Sequence, residues 1–307
     1  MTYGRSDGRG HMTDRRYGLA LVIFLLLLGS RAAAHPLCAM DALGREICLA
    51  EPATRIISLS PGATELVFSA GAGDAVVGVG AWSDYPPEAN SIPRVGDSSR
   101  VDLETILTLK PDLVIGWTDG NPRAQLDRLA GLGVPVFWLA PRTFDDIADA
   151  VRTLGLLTGH QPLAEQQAQA FLAGLDAIED RYVSAESVRV FYQVWDQPLM
   201  TVNGDELISK SIQLCGGVNV FGELPRLVPR VSLENLLTAN PEVIVTAGRG
   251  EADQTWLDRW QAWPSLTAVA TGNLFYLSPD LLQRASLRML EGTRELCDLL
   301  DQARARL

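Results

Sequence analysis

Histidine is scarce in this chain, and its placement gives no metal site. The sequence has 307 residues and 3 histidines, and only His35 and His160 lie beyond residue 34. Neither has a cysteine, a histidine or a carboxylate at the spacing of zinc ligands. The G-x-S-x-G motif of serine hydrolases is missing, and the glycine-rich stretch 71–80 matches neither the dinucleotide fingerprint nor the P-loop. We therefore expect no enzyme, no catalytic residue, no metal and no cofactor.

Excess positive charge is also missing. The formal net charge is −11, and residues 1–34 contain five arginines and two aspartates, so the rest of the chain carries −14. Nucleic-acid phosphates require basic patches, so this acidity argues against a nucleic-acid partner. It suits a soluble carrier that docks onto a basic surface of another protein.

The sequence has a single long hydrophobic run, Leu19–Leu28. Its ten residues are too few for a bilayer core of ~30 Å, which takes roughly 20. Two arginines precede the run and three alanines follow it, which is typical of a secretory signal peptide. We predict a signal peptide over 1–34, cleavage near Ala34 and a periplasmic protein, with an uncleaved anchor as the alternative. The export route (Sec or twin-arginine) and the start, Met1 or Met12, stay open.

The four cysteines all lie in the exported part. Oxidising compartments favour disulfides, and four cysteines allow three connectivities. Cys38 and Cys48 flank a predicted hairpin, so we pair them, which leaves Cys215 with Cys297. A lipid-anchored Cys38 is the alternative, although Leu37 before it is larger than the small residue that such a cleavage site favours.

One passage of the sequence occurs twice. Val101–Ile115 reads VDLETILTLKPDLVI and Val231–Val245 reads VSLENLLTANPEVIV, with six of fifteen positions identical. Each copy has a capping residue, an acid in the first helical turn, and a proline before an apolar run. Each therefore predicts a short helix followed by a strand buried in a parallel sheet. Two such units indicate two α/β lobes of similar build.

The remaining pattern alternates strands and helices, which indicates an α/β fold with parallel sheets. The longest helical pattern, Leu163–Tyr182, lacks internal proline and lies between the two halves, so we predict a rigid backbone helix that joins two parallel-sheet lobes. We also predict a helix over Trp256–Trp263 and a last helix from about Ser286. The predicted domains are the signal peptide 1–34, an N-terminal lobe 35–159 with a hairpin at 35–52, a linker helix 160–186 and a C-terminal lobe 187–307.

Aromatic residues follow the predicted strands in both lobes. Trp82 and Tyr85 lie in a loop beyond one strand, Trp117 ends another, and Trp195 follows the first strand of the second lobe. Ligands of such sheets gather outside the carboxyl ends of the strands, where aromatic walls can bury a large apolar ligand. The alternative is that they are ordinary half-buried aromatic side chains. We assign the other tryptophans to packing: Trp138, Trp256, Trp260 and Trp263.

Two sets of polar residues complete the candidates. Asp280 and Arg284 follow the last strand, where they can reach a cleft or merely form a salt-bridged loop. Glu104 and Glu234 occupy equivalent first-turn positions of the repeated helices. They either complement the helix dipoles or form a two-point handle for a pseudo-symmetric partner.

Several segments together resemble a known family. SLSPGATEL, AWSDYPPEA, LKPDLVIGW, LCGGVNVFG and DLLQRAS are similar to segments of the cobalamin-binding proteins of bacterial vitamin B12 importers, within the wider iron-siderophore, haem and B12 group of substrate-binding proteins. The resemblance runs from about Ala53 to the C-terminus. It implies two lobes on one long helix, a cobalamin or related corrinoid held between them, and delivery by a monomer to the permease dimer of an ABC importer with its ATPase subunits.

The resemblance also implies roles for individual residues. Trp82 and Trp117 match aromatic residues beside the corrin, Trp195 stands near a third, and Asp280 and Arg284 match a polar loop that contacts the corrin amides. The predicted ligand site further includes three residues of the loops after the first two strands: Pro61, Gly62 and Tyr85. Glu104 and Glu234 match glutamates that dock on permease arginines, and Cys215 and Cys297 match the family disulfide.

The chain departs from this pattern at two positions. Ser98 and Val228 stand where the cobalamin-binding relatives carry further cleft tryptophans. Cobinamide, a ferric siderophore or haem are therefore alternative ligands. A siderophore would favour clustered arginines and haem a tyrosine such as Tyr85, and neither pattern is evident in the sequence.

Overall fold

The computed structural model describes residues 1–5, 36–248 and 252–307. The chain divides into two units, Met1–Pro36 and Leu37–Leu307, and all that follows concerns the second. The apolar run of the predicted signal peptide and its cleavage position near Ala34 lie outside the described residues. Among the helices that the structure describes, none combines the length and the apolar character needed to cross a membrane.

The first lobe begins with a hairpin and continues as a parallel sheet. Its elements are β1 (Leu37–Met40), β2 (Glu46–Leu49), β3 (Ile56–Ser58), α1 (Pro61–Ser69), β4 (Val76–Val79), α2 (Leu103–Thr108), β5 (Leu113–Trp117), α3 (Arg123–Gly131), β6 (Val136–Leu139) and α4 (Phe144–Thr158). The hairpin strands β1 and β2 pair antiparallel. The other strands pair in parallel in the order β4-β3-β5-β6.

A helix of 22 residues, α5 (Gln161–Tyr182), leads to the second lobe. The elements of that lobe are β7 (Val188–Gln193), α6 (Leu207–Leu214), β8 (Gly217–Asn219), α7 (Leu233–Ala239), β9 (Val243–Thr246), α8 (Ala252–Trp260), α9 (Thr267–Ala270), β10 (Leu274–Tyr276), α10 (Pro279–Leu282) and α11 (Met289–Arg304). Its strands are parallel in the order β10-β9-β7-β8. The predicted fold class, two parallel-sheet lobes and one long backbone helix, is confirmed.

The two sheets have the same topology. In each, the first strand in chain order lies between the second and the third, and the fourth lies beyond the third. The repeated passage supplies the third strand of each sheet, β5 and β9, together with the helix before it. The internal repeat in the sequence therefore corresponds to an internal repeat of the fold.

The repeated turn is built from the same contacts in both lobes. The carboxylate of Asp112 accepts the backbone N–H of Arg55 at 3.0 Å, and that of Glu242 accepts the N–H of Arg189 at 2.8 Å. The Arg55 side chain also donates to the Leu109 carbonyl at the end of α2, and the Arg189 side chain donates to the Ala239 carbonyl at the end of α7. The acid before each apolar run thus joins the start of its own strand to the start of the neighbouring first strand.

The prolines of the repeat follow residues of left-handed conformation. Lys110 has φ 46° and Asn240 has φ 41°, and each precedes the proline of its copy. A residue before proline is disfavoured in the helical region, so the helix ends there and the chain turns into the strand. α2 and α7 end at Thr108 and Ala239, slightly before Pro111 and Pro241.

Two disulfides crosslink the described unit, one near its start and one in the second lobe. Cys38 bonds to Cys48 across the hairpin, and Cys215 bonds to Cys297 over 82 residues, which are the two pairings expected from the sequence. The second bond is buried and joins the end of α6 to α11. It fixes the C-terminal helix to the core of the second lobe.

Three local predictions differ from the structure. The helix predicted over Trp256–Trp263 spans Ala252–Trp260, since the next residues form turns with bonds to carbonyls three positions back. The last helix begins at Met289 rather than near Ser286, because the Ser286 hydroxyl is bound to a carboxylate of the other lobe. The sequence analysis also missed β8, whose three residues are too few for a periodic signal.

Candidate functional site

The predicted ligand residues lie at the carboxyl edges of the two sheets. Pro61 follows β3, Trp82 follows β4, and Trp117 ends β5. Trp195 follows β7, and the loop with Asp280 follows β10. Since the strands of each sheet are parallel, these positions share one edge per lobe. The contacts described below bring the two edges together.

Trp82 is held in an unusual backbone conformation. Its φ is 65°, in the left-handed region that bulky side chains rarely adopt, and its side chain is 70% exposed. Such a conformation costs on the order of 1–3 kcal/mol. An exposed indole gains little from packing, so nothing in the core offsets this cost. Strain of this kind clusters at binding sites.

Two further aromatic side chains are exposed at the same edges. Trp195 is 55% exposed, donates its indole N–H to the Gln197 carbonyl at 3.0 Å, and meets the ring of Trp256 edge-on at 6.0 Å. Tyr85 is 41% exposed, and the guanidinium of Arg288 lies 3.9 Å from its ring centre. Both rings are oriented by neighbours while one part remains open to a ligand.

Trp117 is half-buried and borders a small cavity of about 50 Å³ between the lobes. The cavity is lined from the first lobe by Trp117 and Arg142 and from the second by Glu206 and Gln283. Burial raises the pKa of the Glu206 carboxyl, while the backbone N–H groups at the start of α6 and the charge of Arg142 oppose the rise. Glu206 is therefore a half-buried acid that lines the cavity next to the other lobe, and the sequence analysis missed it.

An ion network with a buried centre joins the lobes. We define the interlobe ion network as Glu65, Asp84, Asp280, Arg284 and Arg288. Arg284 lies 3.0 Å from Glu65 of α1, 2.7 Å from Asp84 and 2.8 Å from Asp280. Arg288 lies 3.4 Å from Glu65, and the Ser286 hydroxyl donates to the same carboxylate at 2.5 Å.

Burial acts on the ionisation of the two central groups of this network, Glu65 and Arg284. Only 2% of the Glu65 side chain and 5% of the Arg284 side chain are exposed. Burial raises the pKa of Glu65, although the hydrogen bonds of Ser286 and Arg284 oppose the rise. Burial opposes ionisation of Arg284 as well, but its bonds to Asp84 and Glu65 outweigh burial and raise its pKa. Arg284 therefore stays charged and holds the carboxylates around it.

The position of Arg284 differs from that of a freely exposed ligand anchor. Its guanidinium is engaged by three carboxylates, so it positions the loop after β10 against the first lobe. Gly62 is buried beside this loop, where a side-chain carbon on it would lie 3.5 Å from the Ala285 backbone. Pro61 is half-buried, as is Asp280. These four residues lie at the contact between the lobes, next to the exposed aromatic rings.

Glu65 itself was absent from the predicted site. Its signal in the sequence is an acid at the centre of α1, where residues Gly62–Val67 are all buried. A lone carboxylate on the buried part of an apolar helix requires a partner. The partner is 219 residues away along the chain, so the sequence did not identify it.

Glu104 and Glu234 are exposed in the first turns of α2 and α7. Each helix is followed by a tight turn and then by a strand, β5 or β9, so the helix runs back along the sheet and ends near the start of that strand. The first turn of each helix therefore lies near the carboxyl edge of its sheet. The two glutamates thus occupy equivalent positions beside the cleft, one on each lobe. This placement suits a pseudo-symmetric contact at the carboxyl edges of the two sheets.

The comparisons with known proteins agree with this geometry. Residues 56–281 match the model of the periplasmic binding protein family. The vitamin B12-binding protein of Yersinia pestis is 39% identical over 250 residues, which cover 81% of this chain and 86% of that protein. The crystal structure of the periplasmic vitamin B12 binding protein BtuF of Vibrio cholerae is similar with a TM-score of 0.76 and 37% identity, covering 82% of this chain and 98% of that one.

A more distant structure shows how widely the fold is shared. The periplasmic heme-binding protein RhuT from Roseiflexus has a TM-score of 0.73 at 24% identity, covering 81% of this chain and 98% of that one. At this identity the likeness shows the fold alone. The family match spans most of the described unit and both sheets. The chain therefore belongs to the periplasmic binding protein family.

Proposed function

We propose that this protein captures cobalamin, or a closely related corrinoid, in the periplasm and delivers it to an ABC-type importer of the inner membrane. The observation that carries the proposal is the strained, exposed ring of Trp82 at the carboxyl edge of the first sheet. The names of the relatives at 37% and 39% identity support the corrinoid as ligand.

The ligand is bound without any bond being made or broken. Trp82, Tyr85 and Trp195 offer apolar ring faces, and Trp117 with Pro61 and Gly62 borders the floor between the lobes. Asp280 and Arg284 offer polar groups beside the corrin amides, with Arg284 acting mainly through the loop that it holds. A large ligand with an apolar ring and polar edges suits this combination.

Delivery requires a contact with the importer. We propose that Glu104 and Glu234 meet arginines of the permease dimer, one glutamate for each half. We retain the predicted division into lobes 35–159 and 187–307 around the linker 160–186. Because the linker is a continuous helix, the two lobes should move little relative to each other when the ligand is delivered. A monomer with two equivalent docking corners matches a permease of two equivalent halves.

Export is the remaining part of the proposal. The signal peptide 1–34 and its cleavage near Ala34 stay predictions, and the family places proteins of this kind in the periplasm. N-terminal sequencing of the protein purified from the periplasm of an expression host would give the cleavage site directly.

The test is isothermal titration of the exported protein, residues 35–307, with cyanocobalamin. We expect one-to-one binding with a Kd of about 1 μM or tighter. Absence of binding would contradict the corrinoid proposal and leave the family assignment unchanged. Haem and a ferric siderophore would then be titrated under the same conditions as the alternative ligands.

A further inference from the structure

A second recess lies beside Trp195 and is lined by basic side chains. It has a volume of about 630 Å³ and is bordered chiefly by Met200, Leu224, Arg226, Val228, Pro229 and Arg230. Met200 forms backbone bridges with both Trp195 and Arg230. The recess therefore borders the backbone segment that follows β7, at the carboxyl edge of the second sheet.

The backbone explains why two arginines face this recess. The segment 227–231 runs antiparallel to 199–203, with N–H groups of Asn203 and Thr201 donating to the carbonyls of Leu227 and Pro229 at 2.9 and 3.1 Å. Side chains of paired extended segments alternate between two faces. Accordingly Arg226, Val228 and Arg230 are exposed, while Leu227 is half-buried and Pro229 is buried.

The two guanidinium groups have no anionic partner in the part of the chain that the structure describes. Neither Arg226 nor Arg230 forms a side-chain ion pair or hydrogen bond with a described residue, whereas Arg284 lies within reach of three carboxylates. Arg226 and Arg230 thus form a local positive patch in a chain of net charge −11. Paired guanidinium groups bind planar or tetrahedral oxyanions through charge-assisted hydrogen bonds.

We propose that Arg226 and Arg230 bind the phosphodiester of the nucleotide loop of the carried corrinoid. This inference rests on the proposed function. The phosphodiester is the anionic group of a complete cobalamin, and cobinamide lacks the nucleotide loop. Val228 lies between the two arginines on the same exposed side of the segment and also borders the recess. Recognition of this anion makes the protein selective for complete corrinoids.

The test compares two ligands and three proteins. Cyanocobalamin and dicyanocobinamide are titrated into the exported wild type, the double variant Arg226→Gln/Arg230→Gln, and the control Arg128→Gln/Arg294→Gln. The control removes the same charge from two exposed helix positions, on α3 and α11. We expect the double variant to bind cyanocobalamin about tenfold or more weakly and dicyanocobinamide as the wild type does, with the control unchanged. The affinity of the wild type for cyanocobalamin should fall with added salt more steeply than that of the double variant.

Three results would overturn the proposal in distinguishable ways. An equal loss for both ligands would show that the arginines support the cleft rather than bind a phosphodiester. Unchanged cyanocobalamin affinity together with lost uptake in cells would assign the arginines to the importer contact. Failure of the wild type to bind either corrinoid would instead reject the proposed function, and this inference with it.

Discussion

Individual side chains show where this protein departs from ordinary packing. Trp82 keeps an exposed ring on a left-handed backbone, and Glu65 keeps a carboxylate inside an apolar helix. Each arrangement costs free energy locally: Glu65 lies at the contact between the two lobes, and Trp82 lies at the carboxyl edge of the first sheet. Such local conflicts with the rules of folding are typical of functional positions.

Replacement of Trp82 separates ligand contact from packing. Trp82→Ala should weaken cyanocobalamin binding by ~1–3 kcal/mol, because the indole covers apolar ligand surface. Its unfolding free energy should change by less than about 0.5 kcal/mol, since the ring is 70% exposed. Calorimetric titration and urea unfolding measure the two quantities. Val183→Ala, at an apolar side chain 81% exposed at the end of α5, is the control and should alter neither; wild-type affinity of Trp82→Ala would remove Trp82 from the site.

Glu65 gives a pH dependence of defined sign. Burial raises its pKa above the ordinary 4.5, so the folded protein binds this proton more tightly than the unfolded chain does. Its contribution to stability is therefore present below pH 4.5 and is lost as the pH rises through the folded pKa. Glu65→Gln removes this titration. The unfolding free energy of the wild type minus that of Glu65→Gln should fall as the pH rises.

The measurement is urea unfolding of both proteins at several values between about pH 4.5 and about pH 8. Acids with lowered pKa values, Asp97 and Asp102, titrate in both proteins and cancel in the difference. A difference that rises with pH would show that folding favours the ionised form of Glu65, and a flat difference would show that folding leaves its pKa unchanged; either result contradicts the prediction.

At the scale of elements, the short helices begin at residues whose side chains cap the backbone N–H groups of the first turn. Asp102 and Ser232 cap α2 and α7 with side-chain oxygens, as the repeated passage predicted, and Ser60 caps α1 in the same way. α6 is capped by Glu206, whose carboxylate accepts the Ile208 N–H at 2.6 Å. Capping is local chemistry and can be read from the sequence, whereas the position of Glu206 in the cavity between the lobes cannot.

The two disulfides should differ in their contribution to stability. The bonds close loops of 10 and 82 residues. Loop entropy in the unfolded chain then favours the longer crosslink by about 2 kcal/mol. Cys215→Ala/Cys297→Ala should therefore lower the unfolding free energy more than Cys38→Ala/Cys48→Ala does. Denaturant unfolding without reductant compares the pairs, and an equal or opposite order would contradict the entropic account.

The whole molecule is a duplicated unit around one helix. Both sheets share one strand order, and the repeated passage supplies the same strand in each. The interlobe ion network and the loop against Gly62 hold the two carboxyl edges together. This arrangement is the basis of the proposed single ligand site and the two proposed docking corners at Glu104 and Glu234.

Charge reversal at those corners tests delivery. Glu104→Arg/Glu234→Arg should abolish cobalamin uptake by cells, because like charges would meet on the importer, and should leave affinity in solution unchanged. Uptake of labelled cyanocobalamin and calorimetry measure the two effects. Glu179→Arg/Glu291→Arg, at exposed positions on α5 and α11, is the matched control and should transport normally. Normal uptake by the first variant would reject the docking role.

The sequence by itself determined the fold class, the internal repeat and the ends of most elements. Periodicity, caps and the residue before proline act within a few positions, so each can be read locally. The placement of the aromatic residues at strand ends followed from the same pattern. The burial of Arg284 among carboxylates, in contrast, depends on the tertiary packing of the two lobes and could not be read from the sequence.

Tertiary structure also decided the parts that join distant segments. Glu65 meets Arg284 across 219 residues, and Arg226 and Arg230 face the recess beside Trp195 because 227–231 pairs with 199–203. No local signal encodes either contact, since both depend on how two independently predictable segments are set against each other. The sequence therefore determined which elements form, and the packing of the elements determined which charges are buried and which remain exposed.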